Sequence, residues 1–164
     1  MTAWLTIHTR RVLGAFIETL GPLQGWERLF LISPWLSSFG KECGMSFEQF
    51  TKRVRDDRPK VYVVTRPPEF DWHRQAVDAL AATKSANIAL LPGLHAKLFV
   101  AETKSMSISM ITSANFTAQS LNNQEIGLLI RGKGDGQALV HRLQREATEI
   151  YRTEGRKLVA QRNL

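Results

Sequence analysis

The sequence is poor in cysteine, with Cys43 as the only one among 164 residues. A single thiol excludes a disulfide within the chain and a zinc site built from several thiolates. It also suits a reducing compartment, since structural disulfides are typical of exported proteins. We therefore expect a cytoplasmic protein in which Cys43 is an ordinary small residue, partly buried.

Long apolar runs are missing as well. No uninterrupted stretch of about 18 apolar residues occurs, so we expect no membrane-spanning helix. The opening MTAWLTIHTRRVLGAF lacks the apolar segment and the small-residue cleavage site of a signal peptide. The sequence also has no low-complexity tract and no repeat. A length of 164 residues fits one domain, which we predict to span residues 1–164.

Acidic residues are in deficit. The chain has 15 Asp and Glu against 22 Lys and Arg, which gives a formal charge of +7 at pH 7. A surplus of this size favours a polyanionic partner, either nucleic acid or an anionic membrane surface. Each basic cluster taken singly is most simply a solvated helix face. Together the clusters favour DNA or RNA.

The apolar pattern predicts strands and helices in alternation. Amphipathic segments predict helices at 6–20, 46–57, 71–85 and 137–161. Ser46 and Asp71 are the predicted N-caps of the second and third of these helices. Short runs that end in proline or turn residues predict strands at 29–32, 60–68, 87–92, 95–102, 105–113 and 124–132. Strands and helices alternate in the first half, and strands follow one another in the second. This order predicts an α/β fold, a mixed β-sheet flanked by helices on both faces, in a single domain.

Three polar pairs lie at the ends of these predicted strands. Their members are two residues apart, so they share a face wherever the strand geometry persists. The pairs are His95 with Lys97, Ser113 with Asn115, and Asn123 with Glu125. If the strands are neighbours, an imidazole, an ammonium, a hydroxyl, a carboxamide and a carboxylate converge on one small volume.

This set of groups suits phosphodiester chemistry. An imidazole such as that of His95 can attack phosphorus and form a covalent intermediate. Lys97, Ser113 and Asn115 can donate to the phosphate oxygens, where charge develops in the transition state. A carboxylate such as Glu125, bonded to the second imidazole nitrogen, would fix the tautomer and stabilise the imidazolium.

Simpler readings stay open for several of these residues. Ser113 and Asn115 could cap a short helix that follows them, a common use of both residue types. Glu125 could be a solvated acid at a strand edge. His95 alone could be an ordinary turn histidine. Because all three pairs occur in order, an active site is a better interpretation than these separate structural roles.

The stretch from His95 to Glu125 resembles the signature of the phospholipase D superfamily. That signature reads His-x-Lys-x4-Asp, then Gly-Ser-x-Asn, then Asn-x-Glu, and all three pairs match it. Two positions depart from it. Glu102 stands where the family usually has Asp, and the resemblance implies a supporting, structural role for this acid, as for Asn123. Thr112 stands where Gly is usual, and its bulk is expected to narrow the substrate channel.

The resemblance implies a two-step transphosphorylation that needs neither metal nor cofactor. One histidine attacks phosphorus, a second protonates the leaving oxygen, and water then releases the phosphohistidine. Two motifs are needed, and this chain has one. The resemblance therefore implies a homodimer with the site on the two-fold axis, where both copies of His95 meet.

Three functions follow as hypotheses. The first is a metal-independent nuclease, with DNA favoured over RNA, which could work beside a motor ATPase or a recognition subunit. The second is a phospholipase or phosphatidyltransferase of the same superfamily. The third is a nucleic-acid-binding module whose site is degenerate or depends on a partner. The departures at Glu102 and Thr112 are the only features that favour the third.

Overall fold

The computed structural model of the chain describes residues 2–154 and 156–157. Its strands are β1 (Thr2–His8), β2 (Trp26–Ile32), β3 (Lys60–Thr65), β4 (Ala86–Leu90), β5 (Leu98–Thr103), β6 (Ser107–Thr112), β7 (Gly127–Lys133) and β8 (Arg156–Lys157). They form one sheet in the order β1-β7-β6-β5-β2-β3-β4-β8. The pairs β2–β3 and β3–β4 are parallel, and the other pairs are antiparallel.

Helices cover both faces of this sheet. The helices are α1 (Val12–Leu20), α2 (Phe47–Asp57), α3 (Asp71–Ala81) and α4 (Ala138–Glu149). The apolar sides of α1, α2 and α3 pack into one core cluster around Phe99, whereas Val140 and Ala147 of α4 pack with Phe30 and Val100 in a second cluster. The predicted mixed sheet with helices on both faces is confirmed.

A local signal in the sequence explains where α2 begins. Ser46 accepts a hydrogen bond from the Gln49 amide, and the Gln49 side chain accepts one from the Ser46 amide. This capping box satisfies two free donors of the first turn, so the predicted cap at Ser46 is confirmed. For α3 the predicted N-cap, Asp71, is wrong by one residue. Phe70 occupies that position, and its side chain makes no capping hydrogen bond.

Two predicted helices include residues that form strands in the structure, and a third, predicted at 71–85, ends at Ala81. Residues 6–8 belong to strand β1, and the helix starts only at Val12. Pairing of β1 with β7 decides this, a contact between segments about 120 residues apart in the sequence. The predicted helix at 137–161 ends at Glu149 and continues as a π-helical turn, Ile150–Glu154, before β8 pairs with β4. Residues 155 and 158–161 of that prediction lie outside the described residues.

Two expectations from composition can be compared with the structure. Cys43 is buried and unpaired. Its burial, together with the nearby Glu42 carboxylate, raises the pKa of the thiol to about 11. At neutral pH this thiol is therefore protonated and a poor nucleophile. Among the described residues, no helix combines the length and the apolar character that crossing a bilayer would need.

One edge of the sheet gathers the loops that matter for the site. The residues Val64, Ile32, Leu98, Ile111 and Leu128 form a continuous row across five adjacent strands. At this row or one residue beyond it, β2, β3 and β6 reach their carboxyl ends, while β5 and β7 begin. We call this the site edge, because all three polar pairs lie along it.

Candidate functional site

Backbone hydrogen bonds bring the three polar pairs side by side. The Thr112 amide donates to the Lys97 carbonyl at 3.3 Å, and Thr112 is in register with Gly127. The first pair precedes β5, the second follows β6 and the third precedes β7. These three strands are adjacent in the sheet, and neighbouring strands are about 4.8 Å apart. The pairs lie just outside the strands, because β5 begins at Leu98 and not at His95 as predicted.

The second and third pairs are joined directly. The Ser113 hydroxyl donates a short hydrogen bond to the Glu125 carboxylate and accepts one from the Ile126 amide at 3.0 Å. The Ser113 amide also donates to the Ile126 carbonyl at 2.9 Å. Ser113 is exposed, and Glu125 is half-buried. The hydroxyl and the carboxylate are therefore held together at the surface of the site edge.

Asn115 is positioned by buried backbone on both sides. Its neighbours Ala114 and Phe116 are fully buried. The Phe116 amide donates to the Ser33 hydroxyl at 2.9 Å, and that hydroxyl donates to the Trp35 carbonyl at 2.7 Å. The Asn115 Oδ1 atom is buried and has no hydrogen-bond partner among the described residues. Such atoms are rare in folded proteins. Because this oxygen can only accept, a phosphate would be bound by the amide nitrogen of Asn115.

His95 and Lys97 have no internal partners in the part of the chain that the structure describes. His95 is exposed, Lys97 is half-buried, and neither side chain makes a hydrogen bond or ion pair there. The Glu125 carboxylate bonds to Ser113 and not to His95 of the same chain. The carboxylate–imidazole bond expected from the chemistry thus stays a prediction. An imidazole and an ammonium without internal partners are free to contact a phosphate.

Arg66 holds the loop that carries His95, and the sequence reasoning missed it. Its Nε atom donates to the Leu94 carbonyl at 2.8 Å, and its guanidinium lies 5.0 Å from the centre of the Trp35 ring. The Arg66 amide donates to the Pro34 carbonyl at 3.2 Å. An arginine at the end of a buried strand, before two prolines, was the available signal. Arg66 positions the loop, and its hydrogen bonds within the described residues go to Leu94 and Pro34 and to none of the three pairs.

Comparison with known proteins supplies the context for this geometry. No protein-family model matches the chain, and no curated protein matches it by sequence. Solved structures do match. A phospholipase D family member, Nuc from Salmonella typhimurium, is 13% identical with a TM-score of 0.66, over 97% of this chain and 100% of that one. NucT from Helicobacter pylori is 14% identical with a TM-score of 0.66, over 96% and 100%.

A third neighbour is larger. Phosphatidylserine synthase from Haemophilus influenzae is 13% identical with a TM-score of 0.57, and the match covers 95% of this chain but 40% of that one. The chain has the phospholipase D fold. Identities this low establish the fold alone. The phospholipase D fold accounts for the strand order that makes β5, β6 and β7 neighbours, and hence for the meeting of the three pairs.

Thr112 is one of two departures from the signature that accompanies the phospholipase D fold. Its hydroxyl donates to the Ile126 carbonyl at 3.0 Å and accepts from the Ala114 amide at 2.8 Å. The side chain thus links the segments that carry the second and third pairs. A hydroxyl that bonds two backbone groups has a structural use that glycine could not supply.

Glu102 is the second departure, and it lies far from the pairs. Its carboxylate is 3.2 Å from Arg28 Nη1 and 3.6 Å from His141 Nε2. Seven residues separate it from His95, roughly 20 Å along an extended chain. Glu102 therefore ties β5 to β2 and α4 at the opposite end of the sheet. Asn123, the other expected supporting residue, is exposed, and its side chain makes no hydrogen bond within the described residues.

Proposed function

We propose that the protein is a phosphodiesterase that cleaves nucleic acid, with DNA as the first substrate to test, and that it needs no metal. The observation that carries this proposal is the meeting of the three pairs at one edge of the phospholipase D fold. The formal charge of +7 supports a polyanionic substrate. The amide nitrogen of Asn115 and the ammonium of Lys97 make no hydrogen bond within the described residues, and both are donors suited to bind its phosphate.

The proposed reaction has two steps. A ring nitrogen of His95 attacks phosphorus, and the leaving oxygen departs with a proton from a second histidine. Water then attacks the phosphohistidine and gives its proton back to the second histidine, which releases the phosphate and a free imidazole. Lys97 and Asn115 donate to the phosphate oxygens as charge develops. The single Ser113 hydroxyl proton is donated to Glu125, so Ser113 donates to a phosphate only when its hydroxyl turns away from that carboxylate.

The second histidine is proposed to be His95 of the partner subunit in a symmetric homodimer. An apolar face next to the site supports this part of the proposal. Ile7, Ile111 and Ile126 are 68%, 42% and 61% exposed, and with Leu128 and Ser113 they line a groove of about 280 Å³. Exposed apolar patches of this kind mark interaction surfaces. Because Ser113 belongs to the groove and to the site, a partner seated there would meet the site.

The test of the proposed function is a cleavage assay on labelled single- and double-stranded DNA with excess EDTA. We compare the wild-type chain with His95→Ala and with a matched control, His141→Ala, since His141 is exposed and lies near Glu102, far from the pairs. We expect cleavage that survives EDTA, falls at least about a thousandfold in His95→Ala, and changes little in His141→Ala. A labelled phosphohistidine should be trapped on the wild-type chain at short times.

Each contrary outcome points to a different function. Cleavage that EDTA abolishes would contradict the proposed mechanism. DNA binding without cleavage by any variant would favour a binding module that needs a partner. That a motor ATPase or a recognition subunit is this partner stays a prediction.

A lipid-directed enzyme is the second candidate, because the exposed apolar face that includes Ile7 and Ile126 could also contact a membrane. Under that reading, phospholipid vesicles should be consumed and DNA should not. The same EDTA assay with vesicles of an anionic phospholipid separates the two substrates. Activity on DNA but not on phospholipid would favour the partner subunit, and not a membrane, as what contacts the apolar face.

A further inference from the structure

Two aromatic rings lie exposed and parallel on the surface where α3 begins. Phe70 is 49% exposed and Trp72 is 43% exposed. Their ring centroids are 5.4 Å apart and their planes differ by 6°, and His73 continues the stack at 5.7 Å from Trp72. Offset stacking of this kind is a favoured geometry for aromatic rings. Apolar side chains that cluster on the surface of a protein usually mark a site where a partner or ligand binds. We call Phe70 and Trp72 the ring pair.

The ring pair is built on the loop that positions His95. The chain leaves β3 at Thr65 on the site edge, and the Thr65 carbonyl accepts from the Leu91 amide at 2.8 Å. Arg66, four residues before Phe70, donates to the Leu94 carbonyl at 2.8 Å. The loop that ends in the ring pair and the loop that ends in His95 are therefore hydrogen-bonded to each other. Phe70 is four residues beyond Arg66, at most roughly 14 Å of extended chain, so a polymer held at His95 can reach the rings.

We propose that the ring pair is a stacking platform for unpaired bases, so that the substrate of the proposed phosphodiesterase is single-stranded nucleic acid. This inference rests on the proposed function. Bases stack on aromatic side chains whatever their sequence, because every base has a flat π-face. In a duplex those faces are already stacked on neighbouring bases and must be extruded before a protein can use them. A platform of this kind therefore selects single strands over duplex.

The charges around the ring pair favour contact with the bases of a nucleic acid and not with its phosphates. Glu69 and Asp71 flank Phe70, and both are exposed. Arg74, also exposed, makes no hydrogen bond or ion pair through its side chain within the described residues. Two carboxylates against one free guanidinium do not favour a phosphate at the rings themselves. Removing the rings should weaken binding without changing how binding depends on salt, since salt dependence reports the phosphates that are neutralised.

The experiment measures binding of fluorescein-labelled dT16 and of a 16-base-pair duplex to His95→Ala chains, which do not cut the probe. The test variant is Phe70→Leu with Trp72→Leu, which keeps apolar bulk and removes the flat rings. The matched control is Trp4→Leu, because Trp4 is 41% exposed and lies on β1, outside the ring pair. We expect the test variant to bind dT16 about 10- to 100-fold more weakly. Its duplex affinity should stay within about twofold, and the salt slope for dT16 should be unchanged.

Four results would overturn the inference: no loss on dT16, an equal loss on duplex, an equal loss in the Trp4 control, or a lower salt slope. Phe70→Tyr with Trp72→Phe keeps two rings and should restore dT16 binding, which a loss of folding alone would not allow. If the wild-type chain cuts DNA but the test variant binds dT16 normally, the stacking platform is wrong and the proposed function stands. If the wild-type chain neither cuts nor binds nucleic acid, both the proposed function and the stacking platform are wrong.

Discussion

At the scale of single residues, His73 makes the chain sensitive to acid. It is fully buried, and its Nε2 atom lies 2.9 Å from the Thr65 hydroxyl. That hydroxyl donates to the Pro34 carbonyl at 3.1 Å, so it accepts from His73, which places the ring proton on Nε2. The Nδ1 atom is buried and has no partner among the described residues. A second proton on this ring would therefore find no acceptor.

Burial lowers the pKa of His73, although the Glu69 carboxylate acts in the opposite direction. Below the ordinary histidine pKa of about 6.5, the unfolded chain binds a proton that the folded chain does not. The free energy of unfolding should therefore decrease as the pH is lowered below this value, by up to about 1.4 kcal/mol per pH unit. Urea unfolding at pH 7.5, 6.5 and 5.5 measures this slope. His73→Gln should flatten it and His141→Gln should not, so equal slopes in wild type and His73→Gln would contradict the assignment.

The site residues differ in how far sequence could predict them. The pairs that contain His95, Ser113 and Glu125 follow from spacing, because two-residue intervals at strand ends are a local signal. The hydrogen bond from Ser113 to Glu125 does not, since it depends on which strands become neighbours. Arg66 acts on Leu94 from 28 residues away. Nothing in its own segment indicates that contact, so only the folded chain reveals it.

At the scale of elements, Gly127 sets how closely α1 approaches the sheet. A Cβ atom at Gly127 would collide with Val12 of α1 and lie 2.9 Å from the Met110 sulfur. Val12 and Met110 are fully buried and have little room to move. Gly127→Ala should therefore lower the free energy of unfolding by about 1–3 kcal/mol through overpacking. Gly93→Ala is the matched control, because a Cβ there meets nothing within 4 Å. Urea unfolding of both variants decides, and equal stabilities would contradict this packing.

The ends of the chain show why some elements could not be predicted. Ile7 fits the helical spacing of Val12, Phe16 and Leu20, which favoured a helix from residue 6. In the structure Ile7 is opposite Leu128, a partner about 120 residues away. The strands of the central sheet were easier, because their β-branched runs end in proline or turn residues. Local periodicity thus predicts buried elements well, while edge strands depend on pairing that the local pattern does not contain.

At the scale of the whole molecule, the proposed mechanism makes the site half of a symmetric one. The apolar face of Ile7, Ile111, Ile126 and Leu128 adjoins Ser113, and a two-fold axis through it would bring two copies of each residue together. Ile7→Asp with Ile111→Asp would bury four carboxylates in such an interface, since each copy contributes two. A buried charge without a partner is strongly unfavourable. The double variant should therefore be a folded monomer.

Sedimentation equilibrium measures this, and the cleavage assay measures its consequence. If His95 of the partner subunit protonates the leaving oxygen, the monomer should lose cleavage while it keeps its circular dichroism spectrum. Leu139→Asp is the matched control, because Leu139 lies on α4 and is 42% exposed, as Ile111 is. That variant should stay dimeric and active. A monomeric double variant that cuts DNA at the wild-type rate would show that one chain holds a complete site, and the second proton donor would then have to be sought within it.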